Sequence, residues 1–268
     1  MLRELGQVVV GFSGGADSAF LAWMAHETLG AGSVICATAV SPSLAPAELE
    51  DCRRIAAEWE LHHVEVETHE LDDPDYVANG PDRCAKCKAT TMVSLEPLKE
   101  VASATVVLGV NLDDLEDNRP GQIAAAERGA VFPLAEAGFT KADVREASRV
   151  LGLRTWDKPA AACLSSRIPY GTPVTIAALS SIGTAEAALR KLGFRQCRVR
   201  HYGAIARIEV ELDMLPVAVS RREELVAAVK QAGYSYATLD LEGFRSGSLN
   251  SSLVLGDVPA RGRDGGQP

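Results

Sequence analysis

No run of apolar residues in this sequence reaches the ~18–20 that a membrane-spanning helix requires, so no such helix is expected. An excess of positive charge is also lacking. The 27 Lys and Arg face 36 Asp and Glu, for a net charge of -9. Broad binding to nucleic acid relies on neutralising phosphates, and this balance disfavours it while leaving room for a local basic pocket. The opening residues MLRELGQVVVGF carry no secretory-leader pattern, because their apolar run is short and leads into a glycine-rich turn. A cytoplasmic setting is therefore expected, and six cysteines in a reducing compartment are not expected to form structural disulfides. They are buried apolar residues, ligands or nucleophiles. Internal repeats are absent, and the five histidines show no ligand spacing.

What is present is a globular composition, 47% hydrophobic and 24% charged, which excludes disordered, collagen-like and disulfide-scaffold classes. A chain of 268 residues buries roughly three-quarters of its unfolded surface and needs no staples to fold. Short apolar runs at 7–12, 33–40, 62–68 and 105–110 read as strands, and 16–29, 46–61 and 88–101 as helices between them. Strands alternating with helices imply right-handed crossovers and a doubly wound parallel sheet covered on both faces. Thr140 reads as the N-cap of a helix to Leu151. Prolines then break the pattern after residue 155. A smaller α+β unit is expected beyond: helix 175–192, a hairpin of 195–200 with 206–212, helix 215–232 and strand 234–239. The expected division is a first domain over 1–158, a second over 159–254 and a disordered Gly/Pro/Arg-rich tail over 255–268.

Gly11-Phe12-Ser13-Gly14-Gly15-Ala16-Asp17-Ser18 stands between the first strand and the first helix. Glycines there allow positive φ and close approach of the backbone to an anion, and a helix N-terminus favours phosphate. The loop has no lysine, so it is neither GxxxxGK[ST] nor GxGxxG. Asn111, Asp113 and Asp114 follow the strand at 105–110 and read either as a Mg²⁺-binding edge beside a triphosphate or as a solvated acidic loop. Cys84 and Cys87 form a single CxxC flanked by Arg83, Lys86 and Lys88, basic neighbours that favour thiolates. There is no second CxxC for a four-ligand zinc site, and Cys163 is the third candidate thiol. Three thiols with an open position suit a [4Fe-4S] cluster. Cys36, Cys52 and Cys197 fall on strand or helix patterns and read as core. Arg167, just after Cys163, is placed to neutralise a phosphate or an adenylate. From spacing alone, Arg198 and Arg200 opposite Glu209 and Glu211 read as a cross-strand surface salt bridge.

The loop SGGADS resembles the PP-loop of the ATP pyrophosphatases, whose adenine nucleotide alpha hydrolase-like fold is a doubly wound parallel sheet. That resemblance implies that Ser13, Gly14, Gly15, Asp17 and Ser18 cradle pyrophosphate, with Asp17 near Mg²⁺. Together with PDRCxxCK, Leu108-Gly109-Val110-Asn111-Leu112-Asp113-Asp114, Arg119-Pro120-Gly121 and Cys163-Leu164-Ser165-Ser166-Arg167-Ile168-Pro169-Tyr170-Gly171, it resembles the LarE family over residues 5–250. These are ATP-dependent sulfur transferases of nickel-pincer nucleotide biosynthesis, serving lactate racemase. The resemblance implies adenylation of the carboxylates of pyridinium-3,5-biscarboxylic acid mononucleotide and their conversion to thiocarboxylates. It also implies that Arg198, Glu186 and Glu209 hold a substrate phosphate or a cation, and that the protein is a homo-oligomer such as a hexamer. The family has two sulfur sources. In one, a cysteine matching Cys163 gives up its own sulfur and becomes dehydroalanine. In the other, three cysteines hold a [4Fe-4S] cluster that carries an extra sulfide from an external donor. Cys84, Cys87 and Cys163 together favour the cluster version. The competing readings are a tRNA thiolase, an enzyme like NAD or GMP synthetase, and a nucleotide-binding regulatory module without turnover.

Overall fold

The structure is a computed structural model describing residues 1–116, 120–159 and 162–245. Arg119 of the Arg-Pro-Gly motif and the expected tail over 255–268 lie outside the described residues. Strands β1 (Val8–Gly11), β2 (Val34–Val40), β3 (His63–Glu67) and β4 (Thr105–Leu108) form one parallel sheet in the order β3-β2-β1-β4. Val8 pairs with Val34 on one side and Thr105 on the other. Val8 and Val10 face a cluster with Phe20 and Leu21 of helix Ala16–Leu29 and Ile55 of helix Pro46–Glu58. Val9 faces the opposite cluster, with Met92 and Leu95 of helix Arg83–Ala102. Both faces are covered, which is why β1 reads as an unbroken apolar run and not an alternating one. The chain runs from β1 outward through β2 and β3, then returns to β4 on the other side. The crevice at the carboxyl ends of β1 and β4 is therefore the topological switch point, where open α/β sheets bind ligands.

β5 (Cys197–Tyr202), β6 (Ile205–Val210) and β7 (Tyr236–Leu239) form a second sheet, antiparallel between β5 and β6 and parallel between β6 and β7. Cys197, Val199 and Ile208 pack beneath Ala185 and Leu189 of helix Ile176–Lys191 and Leu225 and Val229 of helix Arg222–Gln231. The expected α+β unit is present, with one difference. The single helix expected over 215–232 is two, Leu215–Ser220 and Arg222–Gln231. The Ser220 hydroxyl donates to the Val217 carbonyl at 2.8 Å, a local bond that competes with helix continuation. The helix expected over 88–101 starts at Arg83, so the CxxC lies in its first turns. Thr140 caps helix Lys141–Val150 through a capping box with Asp143. Tyr76, Leu164, Ile168, Val174 and Ile182 form an apolar cluster joining the segment around Cys163 to the first sheet's loops and helix Ile176–Lys191.

Candidate active site

The glycine loop leaves β1 and turns into helix Ala16–Leu29 with Gly14 at φ 66° and Gly15 as the N-cap. Ser13 and Ser18 brace it: their hydroxyls lie 3.0 Å apart, and the Ser18 hydroxyl accepts from the Ser13 amide at 3.2 Å and donates to the Gly15 carbonyl at 3.2 Å. Backbone amides at such a turn, with positive φ followed by a helix start, form an anion-binding concavity. The loop comes close to the end of β4. A Cβ on Gly109 would stand 2.8 Å from the Ser18 nitrogen and 2.9 Å from the Asp17 carbonyl carbon, so only glycine fits there. This approach brings Asn111 to the loop, and its side-chain amide donates to Asp17 at 3.0 Å. The backbone amide of Asp114 donates to Asn111 Oδ1 at 3.1 Å. Asp17, Asn111 and Asp114 thus belong to one linked group. Asp113 is turned elsewhere: its carboxylate accepts the Lys141 amide at 2.7 Å, in the first turn of helix Lys141–Val150.

A cation reaches the loop from elsewhere in the chain. The Lys158 ammonium lies 3.6 Å from where a Gly14 Cβ would be. It pairs with Asp51 at 2.6 Å and Glu48 at 3.1 Å. Burial works against its charge, but the Asp51 hydrogen bond and the field of Glu48 outweigh that and hold its pKa above the ordinary lysine value. Lys158 also lines a cavity of about 220 Å³ with Glu48, Ala162, Arg167, Arg190 and Arg198.

Cys84 is exposed, while Cys87 and Cys163 are half-buried. Contrary to the thiolate expected from the basic neighbours, burial, then Cys163 and Glu70, push the Cys87 thiol up to about 12, and the field of Lys88 does not offset them. The field of the Cys84 thiol acts in the same direction. Among the described residues no three His, Cys, Asp or Glu side chains come close enough to hold a single metal ion. An iron–sulfur cubane spreads its cysteine ligands further apart than one ion does, and three thiols of this kind fit its donor chemistry. The CxxC turn is closely covered: a Cβ on Gly121 would stand 3.0 Å from the Cys84 carbonyl oxygen. The Cys163 segment is pinned to the first sheet's loops. Tyr76 Oη and Ser165 Oγ are 2.7 Å apart, and the Ser43 carbonyl accepts the Leu164 amide at 2.8 Å. Arg83 donates to Asn79 and, at 2.9 Å, to the Ser165 carbonyl. Ser41, Ser43 and Thr68 all donate to the buried Glu70 carboxylate, which organises the loop after β2. Sequence reasoning missed Glu70, Tyr76 and Asn79, which belong to no motif and act only through contacts far along the chain.

Arg167 is buried against Glu186 at 2.8 Å and donates to the carbonyls of Ala162 and Cys163 at 2.8 and 3.0 Å. Glu186 also takes Arg190 at 3.0 Å and the Val199 amide at 3.1 Å. The strand pairing expected as a surface salt bridge is buried. Arg198 stands opposite Glu209 in register. Arg200 grips Glu209 in a bidentate pair at 2.9 and 2.8 Å, with Arg207 adding 3.0 Å. Side chains on a twisted hairpin reach diagonally as well as straight across. Arg200 also donates to the Ser166 carbonyl at 2.9 Å. Arg198 lies over the Phe244 ring at 5.0 Å, and burial followed by the nearby Arg167 lowers its pKa to about 10.

Sheet order, loop and switch-point location define a PP-loop nucleotide-binding enzyme. The NAD synthase family matches residues 3–85, the part that contains the loop. An uncharacterised protein of Synechocystis sp. is 45% identical over 254 residues, covering 94% of each chain. The pyridinium-3,5-bisthiocarboxylic acid mononucleotide synthase of Lactiplantibacillus plantarum is 36% identical over 254 residues, 94% of this chain and 92% of that protein. An uncharacterised protein of Methanocaldococcus jannaschii is 27% identical over 241 residues, 90% of this chain and 91% of its own. The chain belongs to the LarE family of ATP-dependent synthases.

Proposed function

We propose that this chain adenylates the carboxylates of a pyridinium dicarboxylic acid mononucleotide and replaces oxygen with sulfur, releasing AMP and pyrophosphate. The observation that carries the reading is the position of Lys158, beside the glycine loop and on the wall of the arginine-lined cavity next to Ala162. A nucleotide phosphate site, an anion pocket and the Cys163 segment are contiguous. A carboxylate is a poor electrophile, and its acyl adenylate carries a stable leaving group. The substrate phosphate enters the pocket of Arg167, Arg190 and Arg198, with Glu186 fixing Arg167 and Arg190 and Glu209 holding the neighbouring Arg200. The substrate carboxylate attacks the α-phosphorus of ATP. Amides of Gly14 and Gly15 and the hydroxyls of Ser13 and Ser18 hold the departing pyrophosphate, and Asp17, oriented by Asn111, takes the accompanying Mg²⁺ with Asp114.

Cys84, Cys87 and Cys163 would hold a [4Fe-4S] cluster, which supplies the nucleophilic sulfur when bound. Arg167, through the Ala162 and Cys163 carbonyls, fixes the Cys163 backbone for that role. Sulfide comes from an external donor, and the chain acts in the cytoplasm as a homo-oligomer. The exposed Tyr202, Ile205 and Tyr236 of the second sheet support self-association.

The test is anaerobic incubation of the iron-reconstituted protein with ATP, Mg²⁺, sulfide and the pyridinium dicarboxylate mononucleotide. Pyrophosphate and thiocarboxylate are expected to form over many turnovers, without tRNA. Asp17→Asn is expected to stop pyrophosphate release while leaving the unfolding temperature unchanged. A Cys84→Ala/Cys87→Ala protein that stays fully active, with dehydroalanine at position 163, would replace the cluster by the sacrificial route.

A further inference from the structure

We propose that Lys158 supplies, from more than 140 positions down the chain, the phosphate-binding ammonium that the glycine loop lacks. The inference rests on the loop binding ATP as proposed above. Gly14 has no side chain, and a Cβ there would press within 2.9 Å of Cys52 Sγ and 3.6 Å of the Lys158 nitrogen. The glycine thus keeps the ammonium against the loop backbone, where phosphate oxygens would lie. A lysine is a compact point charge on a flexible stem, and a small rotation carries it from carboxylate to phosphate.

A purely structural role, strapping residues 153–158 onto helix Pro46–Glu58, is already filled by other groups. Arg154 binds Asp51 at 2.9 Å and Glu58 at 2.8 Å. Arg145 holds the carbonyls of Trp156 and Lys158 at 3.0 Å each, and Leu153 is buried in the core. Lys158 is therefore placed by its main chain, and its ammonium is left to neutralise two carboxylates at the mouth of a phosphate site. Without it, Asp51 and Glu48 would repel the incoming triphosphate. When the phosphates take the ammonium, Arg154 still neutralises Asp51.

Calorimetry with a nonhydrolysable ATP analogue and Mg²⁺ tests this on the full chain. The wild type is expected to bind, and Lys158→Ala to bind at least about tenfold more weakly, with Lys158→Arg recovering part of the loss. Asp51→Asn removes the lysine's carboxylate partner and keeps its ammonium. It is expected to lower the unfolding temperature as Lys158→Ala does, yet to bind the analogue as tightly as the wild type or more so. If Lys158→Ala binds like the wild type, the inference is overturned. If Asp51→Asn weakens binding as much as Lys158→Ala, the lysine is only a strap and the inference is overturned as well. If the wild type itself binds nothing, the nucleotide reading of the loop fails first, which is a separate result.

Discussion

Arg198 brings positive charge to a place already crowded with it. Burial and the neighbouring Arg167 lower its pKa to about 10 from an ordinary 12.5. For a base, a folded value below the unfolded one means that its charge costs stability at every pH below about 10, and that the cost fades as pH rises through that value. Proteins keep such a charge where a ligand repays it. An anion in the 220 Å³ cavity would sit among Arg167, Arg190 and Arg198 and offset the repulsion. The unfolding temperature of the wild type is therefore expected to climb with added inorganic phosphate, with a stabilisation of about 2.7 kcal/mol at a hundredfold excess over Kd. Arg198→Met is expected to match or exceed the wild type in phosphate-free buffer and to lose most of the climb. Thermal unfolding of both proteins across a phosphate series checks it, and a lower starting stability for the variant would make Arg198 a structural residue.

Among the elements, the contact that matters most for the site is the end of β4 against the start of helix Ala16–Leu29. Gly109→Ala would force a Cβ into backbone atoms of Asp17 and Ser18, none of which can rotate away. The strand end must retreat, and the 3.0 Å bond from Asn111 to Asp17 opens with it. Pyrophosphate release is expected to fall by about tenfold or more, since roughly 1 Å of misplacement can cost that much. Thr140→Ala is the control. It breaks the capping box of helix Lys141–Val150, costs about 1 kcal/mol and lowers the unfolding temperature by about 2–4 °C, with release unchanged. The same elements mark what a sequence can tell. The strand–loop–helix unit was legible because β1 is continuously apolar and Gly14, Gly15 and Ser18 sit where backbone geometry needs them. The cap at Thr140 was legible because its partner is three residues away. Lys158 stands outside every motif that the sequence displays. Its relation to Gly14 depends on how residues 153–158 cross helix Pro46–Glu58, which no local pattern encodes. Alternation along the strand puts Arg200 on the same side as Arg198, while its diagonal, bidentate grip on Glu209 depends on sheet twist, which spacing does not encode.

Across the whole molecule, one buried ion pair ties the second sheet to the segment that carries Cys163. Glu186 holds Arg167, which in turn holds the carbonyls of Ala162 and Cys163, and Glu186 also accepts the amide of Val199 in β5. Burial alone would raise the Glu186 pKa, but Arg167, Arg198 and Arg190 outweigh it and bring it below the ordinary 4.5. A carboxylate with a depressed folded value gives stability that is fully present above the unfolded value and lost as pH falls through the folded one. The unfolded chain takes the proton first, so acid should pull the two parts of the molecule apart. Chemical unfolding from about pH 6 to about pH 3.5 is expected to show stability falling once the ordinary glutamate range is passed. Glu186→Gln strands the buried Arg167 without its counter-charge, and is expected to cost about 3–5 kcal/mol at neutral pH. It should also flatten the acid limb, because the titrating group is gone. Glu146→Gln removes an equally short but exposed pair with Arg149 and is expected to change neither the neutral stability nor the limb. An acid limb as steep in Glu186→Gln as in the wild type would mean that other carboxylates, and not this joint between the two sheets, govern how the molecule comes apart in acid.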